Sequence, residues 1–232
     1  MRWAAIHQPN LFARLGTLRK IFVSDCWIVL SHVQFNARDY QHRCLLTDRR
    51  EPERLRWCTV PVHRPIGRST RIADLRIVDP IGTARVVGST IRYHLAGGAG
   101  WSLASPIVGD VVNAIAAGDL VRADVASMER LLRLVGWSGQ VVLNDDVPVS
   151  GKTERLVALT TANACGGYVC GAGGARYLRP DLFTSAGIAV RYFQTSSPQG
   201  LRMDDVPDLH ANSLAVLCQF GLDYFVKAVT SE

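Results

Sequence analysis

Lysine is scarce in this chain. It occurs only at 20, 152 and 227, although Lys and Arg together number 26 of 232 residues. The basic side chains are therefore mostly arginine, whose planar fork suits phosphate and carboxylate. No stretch approaches the roughly 18 consecutive apolar residues of a membrane span. MRWAAIHQPN carries no long apolar run after its arginine, so no signal peptide and a cytoplasmic location are expected. The six cysteines, at 26, 44, 58, 165, 170 and 218, include no CxxC spacing. They are expected to be reduced, packed thiols, and zinc is not expected at Cys165 and Cys170.

Several reaction signatures are also missing. There is no GxSxG elbow, no HExxH, no GxGxxG after the first strand and no carboxylate pair at suggestive spacing. Disorder is excluded by 48% hydrophobic and 20% charged residues. The net charge of +6 favours an anionic small molecule: a nucleotide, a phosphosugar or a phosphopantetheine-linked substrate. Solubility alone also accounts for such a charge. Nucleic acid is not expected, because the basic residues are scattered and no RNP, KH or zinc-finger pattern occurs. No covalently bound cofactor is expected.

What is present reads as α/β. Residues 3–7 (WAAIH) are an apolar strand, stopped by Pro9, with Asn10 as a helix cap. Leu11, Leu15, Leu18, Ile21 and Phe22 recur at helical spacing, and Cys26–Leu30 is a second strand. This βαβ-like opening predicts a parallel sheet. Residues 55–62 read as a strand limited by Pro61, with another short one near 75–78 and a loop at 97–100. Helical periods run over 107–115 and 120–135, the latter stopped by Gly136. Residues 63–100 are the least legible stretch and contain Arg/Gly/Pro-rich loops. A strand is expected at 141–143, a Ser150-capped helix over 151–164, a strand over 167–170 and a helix over 175–186 interrupted by Pro180. A strand over 188–193 and a helix over 214–226 close the chain. The expectation is one domain over 1–232, with a mostly parallel central sheet flanked by helices and 80–138 as a helical insertion or subdomain.

Four clusters are candidates for chemistry. The first is His7-Gln8-Pro9-Asn10 with Gly16 and Lys20. In open parallel sheets ligands sit at the carboxyl ends of strands, and a helix N-terminus there suits an anion. His7 would donate to phosphate or serve as acid/base, or else hold a structural turn. The second is Gly151-Lys152-Thr153-Glu154-Arg155-Leu156. Helix dipoles disfavour cations in a first turn, so Lys152 and Arg155 point to a bound anion, while Glu154 caps locally or holds Arg155. The segment is not a P-loop, since GxxxxGK[ST] is absent. The third is Gly171-Ala172-Gly173-Gly174 with Arg176 and Tyr177, either a ligand shelf or a tight turn. The fourth is Gln34, Arg38, Gln41 and Arg43, a recognition loop or a solvated one.

Three of these stretches together carry a family resemblance. AAIHQPNLFARLGTLRKIFVSDCWIVLSHVQFNARDYQHR, WCTVPV and GKTERLVALTTANACGGYVCGAGGARYLRPDLFTSAGIAVRYF resemble the ordered motif blocks of WbqC-like proteins, over residues 5 to about 193. Departures fall at Leu11-Phe12-Ala13-Arg14, where the family has aromatic-proline-tryptophan, and at Ser31-His32, where it has aspartate before VQF. His42 replaces its asparagine before Arg43, and Ser197-Pro198-Gln199 reduces its HPxYPQ-like segment. The family's association with surface-polysaccharide and specialised-metabolite gene clusters implies a biosynthetic transferase. The strand, His-containing turn and helix also look like nucleotidylyltransferases of the pantothenate-synthetase type, although the second histidine of their HxGH signature is absent. Acyl, aminoacyl or nucleotidyl transfer to an amine or sugar is the expectation, with His7 and Lys152 catalytic. Gln8, Asn10, Gln34, Arg38, Arg43, Thr153, Glu154, Arg155, Gly173, Gly174 and Tyr177 would bind substrate. The alternative is a non-catalytic partner that binds a nucleotide-sugar or a carrier protein and scaffolds pathway enzymes.

Overall fold

The computed structural model describes residues 1–47, 55–143, 147, 149–193 and 211–230. It opens with β1 (Trp3–His7), α1 (Leu15–Phe22) and β2 (Cys26–Val29). Then come a ribbon of β3 (Arg43–Thr47) and β4 (Leu55–Thr59) and a shorter one of β5 (Val62–His63) and β6 (Arg76–Ile77). Three helices follow: α2 (Pro80–Leu95), α3 (Trp101–Ala116) and α4 (Leu120–Leu134). The remainder is β7 (Gln140–Leu143), α5 (Lys152–Ala162), β8 (Gly167–Gly171), α6 (Ala172–Ala175), α7 (Pro180–Ser185), β9 (Ala189–Phe193) and α8 (Ser213–Thr230). The central sheet has the order β7-β2-β1-β8-β9, and every pairing in it is parallel.

This is the expected α/β architecture, and the strands' composition explains it. Both faces of a parallel sheet are covered, so its strands are apolar throughout and alternate residues feed opposite cores. Ala5, Trp27 and Val169 face the core shared with α1, α2, α3, α4 and α8. Ala4, Ile6, Ile28, Tyr168 and Cys170 face the smaller core under α5 and α7. The connection β1-α1-β2 therefore runs over one face and β8-α7-β9 over the other, and the two diverge between neighbours β1 and β8. A crevice opens outside the carboxyl ends of the strands where the winding reverses in this way.

Several expected boundaries moved. Helix α1 starts at Leu15, not Leu11, with Arg14 at its N-cap and no side-chain cap. Asn10 turns its amide back on the Pro9 carbonyl (2.9 Å) and caps nothing. Gly151, at φ +105°, occupies the N-cap of α5 in place of Ser150. A Cβ on Gly151 would fall 2.3 Å from the Glu154 carboxylate, which folds back over it. The helix expected over 175–186 is two short ones, because Pro180 starts α7 instead of interrupting it. Pro61 divides the 55–62 strand into β4 and β5. Helix α2 opens the helical stretch expected over 80–138, where the sequence was least legible: Asp79 accepts from Gly82 N (3.1 Å), Pro80 sits in the first turn, and Thr83, Ala84, Val87, Ile91 and Leu95 form its buried stripe.

All six cysteines are buried and free. Among the described residues α8 is long and apolar enough to cross a membrane by length and composition. Half of it is nevertheless buried in the protein, and Gly221 (φ +81°) breaks its helical path. Its apolar side chains complete the larger core.

Candidate functional site

A cleft of about 730 Å³ lies at the carboxyl ends of β1, β2, β8 and β9. Its walls include His7, Gln8, Arg14, Gly16, Thr17, Lys20, Asp39, Tyr168, Gly171, Gly173, Gly174 and Tyr177, with Leu30, Leu156 and Phe193 supplying apolar surface. The volume is that of a small-molecule pocket.

The β1 end is fixed from below and from the side. The His7 carbonyl accepts from Leu30 N (2.9 Å) and from the Trp27 indole (3.2 Å). The chain then makes a turn in which Phe12 takes φ +47°, a left-handed conformation that an aromatic residue adopts only when its surroundings hold it there. They do so on two sides. Phe12 N donates to Ser127 Oγ on α4 (3.0 Å), and Phe12 O accepts from Asn212 Nδ2 (2.8 Å). Asn10 N donates to Met128 Sδ (3.3 Å). Helix α4 thus buttresses the turn that aims His7, Gln8 and Arg14 into the cleft.

His7 Nδ1 lies 2.8 Å from the Gln8 carbonyl. A carbonyl only accepts, so Nδ1 carries the proton and Nε2 of the neutral ring is an acceptor. Burial, then the positive charges of Lys20 and Arg14, push its pKa down to about 3 against the weaker opposing effect of its hydrogen bond to the Gln8 carbonyl. Lys20 is 7% exposed and donates to the Ile6 carbonyl (3.1 Å). Burial lowers its pKa to about 8, opposed by Cys170. Among the described residues no carboxylate pairs with this ammonium. Gly171 is what admits it, since a Cβ there would lie 3.1 Å from Lys20 Cδ.

On the opposite wall the loop 38–41 is held by Arg43, which donates to the carbonyls of Asp39 (3.2 Å) and Arg38 (2.7 Å) and stacks 4.1 Å over Trp57. Gln41 Nε2 donates to Gln8 Oε1 (2.7 Å), and Arg14 lies 4.7 Å over the Tyr40 ring.

Of the residues singled out from sequence, His7, Gln8, Gly173, Gly174 and Tyr177 line one cleft, with Gly16 and Lys20. The GKTER segment stands one layer back. Thr153 is buried and ties α5 to the next loop, donating to Tyr177 O (3.4 Å) and accepting from Arg179 N (3.3 Å). Glu154 pairs with Arg179. Arg155 reaches the Val149 carbonyl (3.5 Å), and its buried Nε has no partner among the described residues. Lys152 is exposed, with its ammonium 5.2 Å over the Tyr177 ring, at the rim. Asn10 is buried against α4 outside the cleft. Gln34 is exposed and donates to the Arg68 carbonyl (2.7 Å), Arg38 is exposed, and Arg43 acts on the cleft only through the loop it clamps. Ser197-Pro198-Gln199 fall outside the described residues.

Sequence reasoning missed Thr17, Asp39 and Tyr168, while Arg14, among the departures from the family pattern, does line the cleft. It named Lys20 without separating it from its neighbours. The available signal was that lysine is rare here: where arginine is the default cation, a lysine on an otherwise buried helix is a compact charge with a tunable pKa.

These blocks occupy the places that a sequence comparison also recognises. Residues 8–202 match the WbqC-like protein family. The chain belongs to that family. Neither a curated protein nor a solved structure matches it.

Proposed function

We propose that this WbqC-like protein is a biosynthetic transferase that binds a phosphate-bearing activated substrate in the β1/β8 cleft and transfers its acyl, aminoacyl or nucleotidyl group to an amine or sugar hydroxyl. The observation that carries the reading is Lys20: a buried ammonium in a cleft whose one direct partner among the described residues is a backbone carbonyl. Burying a charge without a counter-charge is costly, and an anionic ligand would relieve it. Arg14 adds a second cation, Gly16 in the first turn of α1 adds a backbone N–H, and the glycines after β8 leave room for close approach. The apolar wall of Leu156, Tyr177 and Phe193 suits the flat or pantetheine portion of such a substrate.

In this reading Lys20 and Arg14 neutralise the phosphate and the charge that develops as it leaves. His7, with Nδ1–H held by Gln8, offers Nε2 to the proton of the attacking amine or hydroxyl. A bound anion would cancel two of the causes that depress its pKa and so make it a better base. Lys152 guards the rim. A pathway in surface-polysaccharide or specialised-metabolite synthesis fits this chemistry.

The test is a thermal-shift screen of nucleotides, nucleotide-sugars and coenzyme A esters against wild type, Lys20→Met and His7→Ala. The expected result is stabilisation of wild type by a phosphate-bearing compound and its loss in Lys20→Met. Turnover of that compound should then be lost in His7→Ala while binding persists. If no such compound stabilises wild type, or if Lys20→Met responds equally, the anion-site reading is wrong. Binding without any turnover would favour a scaffold that holds a nucleotide-sugar or carrier protein.

A further inference from the structure

The register of the β3–β4 ribbon sets Cys44 directly opposite Cys58. Val60 N donates to His42 O (2.7 Å), so His42 and Val60 form a hydrogen-bonded pair. By the alternation of an antiparallel ladder, Cys44 and Cys58, two positions along, form one too. Such pairs hold their Cα atoms about 5.5 Å apart, inside the roughly 4.4–6.8 Å range of disulfides. Both side chains point to the inner face, 0% and 2% exposed. They are already in contact, and the Cys44 thiol donates to the Cys58 sulfur. Cys26 and Cys165 also meet, but β1 runs between β2 and the β8 end of the sheet, so they are not cross-strand neighbours.

We propose that Cys44 and Cys58 are a disulfide-forming pair, oxidised by a low-molecular-weight disulfide, and that closing the bond acts on the cleft through Arg43. The pairing stands independently of the function proposed for the cleft. Arg43 and Trp57, the residues next to the two cysteines, are stacked on each other, and the same guanidinium holds the carbonyls of Arg38 and Asp39. Asp39 lines the cleft. Strain in the ribbon therefore passes to one wall of the site in two contacts.

The chemistry balances as thiol–disulfide exchange. Cys58, whose thiolate is favoured by the hydrogen bond from Cys44, attacks the small disulfide and expels one thiol, leaving a mixed disulfide. Cys44 loses its proton and attacks the Cys58 sulfur, expelling the second thiol. Two protein thiols are oxidised and one small disulfide is reduced. Access comes from local opening, which is easy in a two-stranded ribbon outside the main sheet.

The experiment treats the folded protein with glutathione disulfide, quenches with an alkylating agent and maps tryptic peptides. Fragments 44–49 and 57–68 should appear joined, lighter than their sum by two hydrogens, and separate on reduction. Cys44→Ala should trap glutathione on Cys58, and Cys58→Ala should leave Cys44 unmodified. Hydrogen exchange over 36–41 should change on oxidation of wild type and in neither variant. The proposal is overturned if both thiols stay alkylatable while Cys26 and Cys165 oxidise, or if the cross-link forms only in urea. A cross-link that leaves exchange over 36–41 unchanged removes the coupling to the cleft.

Discussion

The Lys20 side chain crosses Gly171 so closely that a Cβ on residue 171 would lie 3.1 Å from Lys20 Cδ. A side chain on this distant strand would therefore crowd the α1 lysine and shift it by a few tenths of an ångström. Gly171 has φ −79°, which alanine tolerates. Gly171→Ala should therefore fold with equal or slightly greater stability, since it restricts the unfolded chain. It should weaken binding of a phosphate-bearing ligand by about tenfold, the effect of roughly 1.4 kcal/mol lost at a displaced ammonium. A paired thermal melt and ligand titration checks this. Equal affinity in the variant would show that Lys20 does not need its present path.

Lys20 also has a pH signature. Its pKa falls from an ordinary 10.5 to about 8 in the folded protein, chiefly through burial. The folded state then binds fewer protons than the unfolded state between those values, so this group makes stability rise with pH from about 8 to 10.5. Below pH 8 the full penalty is present, on the order of 3 kcal/mol. Lys20→Met should be more stable than wild type at pH 7, by an amount that shrinks above pH 8, while losing anion binding. Urea denaturation from pH 6 to 10 reads this out. A variant less stable than wild type at pH 7 would mean that Lys20 is structural.

Asp124 carries a second, independent titration. It is fully buried on α4, neither carboxylate oxygen has a partner among the described residues, and burial, reinforced by Asp119, raises its pKa well above the ordinary range. Here the folded state keeps a proton that the unfolded state has lost. Stability should fall by about 1.4 kcal/mol per pH unit from the ordinary carboxylate pKa up to the raised one. Asp124→Asn should abolish that slope above the ordinary carboxylate range. An unchanged slope would show that Asp124 is not the group responsible.

Lys152→Ala tests the rim. Loss of the ammonium over Tyr177 and relief of its repulsion by the helix dipole oppose each other at similar size. The melting temperature should stay the same or rise slightly. Ligand affinity should drop by less than it does in Lys20→Met. A larger drop would move the principal anion contact from α1 to α5.

Much of the architecture was legible before any coordinates. WAAIH, CWIVL and GYVC are continuous apolar runs of strand length, and a strand buried on both faces reads no other way. Helix α4 declared itself by period, and so did the second half of α3, whose start at Trp101 precedes the period read over 107–115. Helix α2 did not, although Asp79-Pro80 is a cap-and-first-turn signal, because Arg, Gly and Tyr on its outer face mask the five buried positions. The ends of α1 and α5 were misplaced for one reason. Asn10 and Ser150 have capping side chains, but the turns at Phe12 and Gly151 carry the chain past them before the helix begins.

The sequence by itself determined the family, the parallel α/β class, and the placing of HQPN at a strand's carboxyl end, because local periodicity and turn chemistry act over a few residues. It also marked Gly173, Gly174 and Tyr177 as lying beside a possible ligand. Tertiary structure alone decided which cations face the cleft. Lys20 and Lys152 are equally plausible as letters, yet Lys20 passes under Gly171 into a desolvated site while Lys152 stays in water above Tyr177. It also decided that Ser127 and Asn212, 115 and 200 residues from Phe12, hold the turn that aims His7. Burial and long-range contact set charge strength and direction, and neither is encoded at the spacing of a motif.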